Sequence, residues 1–89
     1  MTQYLWIRHK VRDFDQWKSA FEAHRPERLE AGLTDMKLLR SAGDPNEIVL
    51  LFEAKDLPRA QAFTASPNLR EVMQAAGVID KPDIYFLTE

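Results

Sequence analysis

The sequence predicts an α+β fold: a four-stranded antiparallel sheet with helices on one face. Two observations carry that expectation. The first is the order of periodicities, which runs strand, helix, strand, strand, helix, strand within 89 residues. The second is the middle pair, Leu33 to Ala42 and Glu47 to Lys55, two strand-like runs joined by Gly43-Asp44-Pro45-Asn46. Pro45 suits the second position of a reverse turn and Asn46 the third. A chain of this length is expected to form one domain, residues 1–89.

The elements follow in order. Gln3 to Arg12 alternates, with Leu5, Ile7, His9 and Val11 on one face and Tyr4, Trp6, Arg8 and Lys10 on the other. Asp13 is placed to cap the next helix, with Gln16 at the capping-box position. Phe14, Trp17, Phe21, His24 and Arg28 then recur at spacings of three and four, which is one helix face. Pro26 lacks the N–H that would bond the Glu22 carbonyl, so a kink is expected, or a break into a second short helix ending at Gly32. After the hairpin, Ile48 to Phe52 is apolar on both faces. Asp56 caps the following helix and Pro58 falls in its first turn. Ser66-Pro67 restarts a helix and Gly77 ends it. Asp83 to Thr88 is the last strand.

Composition narrows the function classes. Twelve basic and 14 acidic residues give a net charge of −2, which offers no electrostatic case for nucleic acid or an anionic membrane. With no cysteine, there is no disulfide, thiolate nucleophile or cysteine-bound metal. No apolar stretch approaches the roughly 18–20 residues of a membrane span. The first residues lack a basic region and a cleavage site, so a cytoplasmic protein is expected. Two histidines without HxH or HExxH spacing give metal binding little support. GxSxG and glycine-rich phosphate loops are absent from the sequence.

Helices on one face leave the other face of the sheet uncovered. Tyr4, Trp6 and the doubly apolar Ile48–Phe52 run would then form an exposed patch. A second copy of the chain, packed sheet against sheet, is the expected cover, so the predicted partner is the chain itself, as a homodimer.

Several stretches resemble the antibiotic-biosynthesis-monooxygenase-like superfamily of small dimeric α+β-barrel proteins, in its bacterial cyclase-like branch. They are Arg8 to Lys18, Phe21 with His24, Asp44 to Glu47 before an apolar strand, Ser66 to Met73, and Ile84 to Leu87. The resemblance implies a ferredoxin-like β-α-β-β-α-β protomer, a dimer with facing sheets, and a pocket between sheet and helices. Haem-degrading members use an asparagine on the first strand and a histidine late in the chain. Here the asparagines are Asn46 and Asn68 and the histidines His9 and His24, so haem is disfavoured.

His9 and His24 are the candidate catalytic residues. Each shares an apolar face, and if those faces meet, both imidazoles enter one space and can move protons near neutral pH. Trp17, Phe21, Arg40 and Tyr85 are the candidate substrate-binding residues, for an aromatic small molecule. Each has a structural reading beside it: core packing for Trp17 and Phe21, an ion pair to Glu53 for Arg40, an ordinary strand position for Tyr85. Ala20 and Ala62 are expected along the pocket wall. The carboxylates, and the mixed-sign run from Lys18 to Arg28, read as solvated helix surface. The function so implied is a monooxygenase, cyclase or isomerase that needs no cofactor and no metal and works by histidine proton transfer on an aromatic or polyketide-like compound. A non-catalytic binding module or a dimeric interaction protein is the alternative.

Overall fold

Strand β1 (Gln3–Lys10) runs through the interior of the sheet, and its alternation sets both faces. The structure is a computed structural model and describes residues 2–89. Helices α1 (Phe14–Ala23) and α2 (Arg25–Glu30) follow, then strands β2 (Leu33–Arg40) and β3 (Glu47–Ala54). Helices α3 (Leu57–Thr64) and α4 (Pro67–Ala75) lead to strand β4 (Asp83–Thr88). The sheet order is β2-β3-β1-β4, with every neighbouring pair antiparallel. The α+β reading therefore holds, and each expected helical segment is a broken pair.

Local chemistry explains the breaks. Asp13 accepts from the Asp15 N–H, Asp56 from the Arg59 N–H and Ser66 from the Leu69 N–H, so each cap falls where the sequence puts it. Pro26 lies in the first turn of α2, where its missing N–H is not needed. Gly32 (φ 81°) and Gly77 (φ 92°) take the left-handed conformation after α2 and α4. In the hairpin the Glu47 N–H donates to the Asp44 carbonyl at 3.0 Å and the Asn46 N–H to the Asp44 carboxylate at 3.0 Å. Strand ends are shorter than the pattern suggested: β1 stops at Lys10, with Val11 continuing as a single bridge to Val78.

One irregularity has no sequence signal. Asp35 pairs with Phe52 and Lys37 with Leu51, so Met36 is an extra residue bulged out of the ladder. Period-two alternation would have grouped Met36 with Leu38 and Arg40.

The core lies between the sheet and the helices. Leu5, Ile7, Ile48, Leu50 and Phe52 project from the strands to meet Trp17, Ala60 and Ala76. The opposite face has no helix over it. There Trp6 packs on Tyr85 with ring centroids 5.3 Å apart, and Tyr85, Leu39 and Leu87 are exposed. Arg8, on that face, donates to Glu47, Asp80 and Asp83 at 2.8, 3.0 and 2.8 Å. It is gripped by three carboxylates rather than laid over the aromatics. No helix among the described residues is long and apolar enough to cross a membrane.

Candidate functional site

A cavity of about 60 Å³ remains between the sheet and the helices. Its walls are almost wholly apolar, and the exceptions are His9, His24 and Arg28. β1 brings His9 there because residues 5, 7 and 9 share the inner face of the strand. The α1–α2 junction brings His24, which is the last cap of one helix and the first of the next. Arg28 sits one turn further, its N–H donating to the His24 carbonyl at 3.3 Å.

His9 is 2% exposed, and neither ring nitrogen has a hydrogen-bond partner in the protein. Nε2 of His24 is buried in the same condition. Buried polar atoms normally find partners, because leaving one unmet costs about 1–3 kcal/mol. Three such nitrogens belong to two residues that line one cavity. Burial pushes the His9 pKa down to about 4; Asp80 opposes the shift and Arg8 adds to it. The imidazole is therefore neutral near pH 7, with one nitrogen a donor and the other an acceptor.

Aromatic rings hold both histidines. His9 meets Trp17 edge-on at 5.6 Å, Trp17 stacks on Phe21 at 4.9 Å, and His24 stacks on Phe63 at 5.9 Å. Phe63 also lines a wider groove outside, formed with Glu30, Arg59 and Ser66. Phe63 therefore lines both the cavity and the outer groove.

The sequence-predicted residues divide. His9, His24, Trp17 and Phe21 come together around the cavity, as does Ala20. Arg40 does not. It lies over the Phe14 ring at 3.7 Å and donates to the Pro45 carbonyl at 2.8 Å, while Glu53 is paired across from Thr34. Tyr85 is on the opposite face of the sheet, paired with Trp6 and 57% exposed. Ala62 lines the outer groove instead of the cavity.

Arg28 was read as solvated and is 4% exposed. Its Nε and Nη2 donate to the carboxylate of Asp35 at 3.2 and 3.1 Å, Nη1 donates to the Phe21 carbonyl, and its plane lies 3.7 Å from the Phe21 ring centroid. The available signal was its spacing, four residues from His24 and seven from Phe21 on one face. The mixed charges around it masked that signal. Among the described residues no group of three or more histidines and carboxylates is placed to hold a metal ion.

Compared with protein-family models and with curated protein sequences, the chain matches none. Solved structures do match over nearly the whole length. A Bordetella bronchiseptica protein assigned by inference as an antibiotic biosynthesis monooxygenase has a TM-score of 0.77 at 16% identity, covering 100% of this chain and 98% of its own. SnoaB, a cofactor-independent oxygenase from Streptomyces nogalater, has a TM-score of 0.75 at 16% identity, covering 100% and 94%. A conserved protein from Methanosarcina mazei has a TM-score of 0.73 at 14% identity, covering 98% and 91%. The chain has the α+β fold of the antibiotic-biosynthesis-monooxygenase proteins.

Proposed function

We propose that the chain is a small enzyme that binds an aromatic compound in the sheet–helix cavity and removes a proton from it through His9 or His24. The observation that carries this reading is the set of three unpartnered imidazole nitrogens on two histidines that line one apolar cavity. Neutral His9 has an acceptor nitrogen ready for the proton of an acidic O–H or activated C–H. Its low proton affinity is offset when the new anion stays beside it, because the charge pair forms out of water. His24, half-buried at the helix junction, is the better placed of the two to exchange that proton with solvent.

The anion so formed is electron-rich enough to react with dioxygen. An activated CH₂ and O₂ then give a carbonyl and water, and a hydroquinone and O₂ give a quinone and hydrogen peroxide, with every electron supplied by the substrate. The fold is shared with SnoaB, whose activity is of this cofactor-independent kind. Oxygen uptake with anthrone and with hydroquinones tests the proposal. His9→Ala and His24→Ala should each remove most of the turnover while the folded NMR spectrum persists. Undiminished uptake in the double variant would rule histidine chemistry out.

Binding without turnover is the second reading, favoured by cavity size. About 60 Å³ is well under the roughly 300–1,000 Å³ of ordinary small-molecule pockets. Saturable shifts of the Trp17 indole with hydroquinones, without oxygen uptake, would select it.

The functional unit in this proposal is a homodimer. Tyr85, Leu39, Leu87 and Trp6 make the open sheet face an apolar surface that a second copy covers. Sedimentation equilibrium should show a dimer for the wild-type chain and a monomer for Trp6→Asp.

A further inference from the structure

Arg28 has more bonding capacity than the protein uses. A guanidinium carries five N–H groups. Two go to Asp35 and one to the Phe21 carbonyl, which leaves one on each terminal nitrogen. The residue is 4% exposed, so bulk water does not meet that remainder, and the side chain lines the cavity. Its orientation is fixed on two sides, by the carboxylate fork of Asp35 and by the Phe21 ring under its plane.

A buried ion pair is a poor investment in stability alone. Replacing one with packed apolar residues is often neutral or stabilising. Here the pair also stands at the wall of a cavity lined by His9, a neutral imidazole without partners, and by His24, whose Nε2 has none. A cation beside neutral groups, in a low-dielectric space, favours an oxygen that carries negative charge. Asp35 offsets less of that field inside the cavity than its formal charge suggests, because its side chain is 33% exposed and partly solvated at the sheet edge.

We propose that Arg28 is the anchor for the ionised oxygen of a phenol or enol bound in the cavity. The inference rests on the reading that this cavity takes an aromatic ligand, and it adds the ligand's charge state and the residue that selects it. Arg28 holds the oxygen, and the histidines handle the proton that leaves it. In this arrangement Arg28 stabilises the product of the proton transfer more than the neutral compound, which makes the transfer easier.

The probe is 4-nitrophenol, whose absorption changes when it ionises, with nitrobenzene as its neutral counterpart. At a pH below the ionisation of free 4-nitrophenol, the dye bound to the wild-type protein should show the phenolate band. It should bind at least about tenfold more tightly than nitrobenzene. Arg28→Met should lose the band and bind both compounds alike, and Arg28→Lys should recover part of the difference. A bound dye with the neutral spectrum, or equal affinity for the two compounds, would overturn the anchor and leave the cavity's role as an aromatic site standing. Failure of both compounds to shift the Trp17 indole resonance would overturn both readings. The wild-type spectrum decides the matter even where Arg28→Met does not fold.

Discussion

Arg8 and His9 are neighbours on one strand and meet opposite fates. Arg8 faces the open side of the sheet and is held by Glu47, Asp80 and Asp83. His9 faces the helices, is 2% exposed, and has no partner at either ring nitrogen. The cation that solvent can reach is held by three carboxylates, and the neutral ring that water does not reach is left without a partner. Satisfaction of Arg8 ties the last strand and its approach to β1, which is a structural task. Want of a partner at His9 leaves bonding capacity for something that enters the cavity. Arg8 and Arg28 each leave two N–H groups without a protein partner, but solvent reaches the 24% exposed Arg8 side chain and hardly reaches that of Arg28.

Breaking the contrast from the His9 side should have the largest effect. His9→Leu fills the same space without the orphaned nitrogens. We expect turnover of hydroquinones or anthrone to fall roughly 10²–10⁴-fold, the usual worth of a positioned acid or base. Urea unfolding should meanwhile show a gain of about 1 kcal/mol, because an unmet polar group has been removed. A variant that lost stability as well as turnover would mean that His9 is integral to the packing.

Acidity sharpens the contrast next. The unfolded chain takes a proton at His9 near pH 6.5, while the folded chain resists until about pH 4. The unfolded state thus binds more protons in that window, and stability rises with pH across it. The contribution is complete above about pH 6.5 and is lost as the pH falls to about 4, a change of ~3 kcal/mol. His9→Leu should flatten that part of the curve in urea titrations at successive pH values.

Smaller changes are expected on the open face. Arg8→Met strands three carboxylates near one another, so thermal unfolding should come at a lower temperature than in the wild type. Added salt should narrow the gap by screening their repulsion. Smallest of all, Tyr85→Leu removes a tilted pairing with Trp6 and should cost about 0.5–1.5 kcal/mol in the same measurement. A cost well beyond that would show that the ring is buried in the protein's assembled form.

Much of the fold was legible because local signals agreed with each other. Caps at Asp13, Asp56 and Ser66, breaks at Pro26 and Pro67, and the Asp44–Glu47 turn all act within a few residues. His9, Trp17, Phe21 and His24 were also legible, since face periodicity puts them on the sides that pack together. Arg28 was not, because its burial depends on Asp35, which arrives from another element. Arg40 and Tyr85 were misplaced for related reasons. Arg40 shares an inward register with Leu38 but sits at a strand end near the turn, where Phe14 and Pro45 take it up. Tyr85 alternates with Ile84 and Phe86, and only the pairing with β1 tells which of the two faces is inward.

The surplus residue at Met36 acts as a frame shift in the strand. Upstream of it, Leu33 and Asp35 keep one parity; downstream, Leu38 and Arg40 keep the other, yet all four point inward. Smoothing the bulge away with Met36 kept would force one half to turn over: either Asp35 swings away from Arg28, or Leu38 leaves the core and Lys37 enters it; deleting Met36 would instead leave plain alternation with all four still inward. The charge at the cavity wall therefore depends on a backbone bulge at a residue that does not line the cavity. Sequence alignments of distant relatives that close this one-residue gap would join inward positions to outward ones along half of β2. Whether a homologue has an arginine of this kind can be read only after its frame has been set.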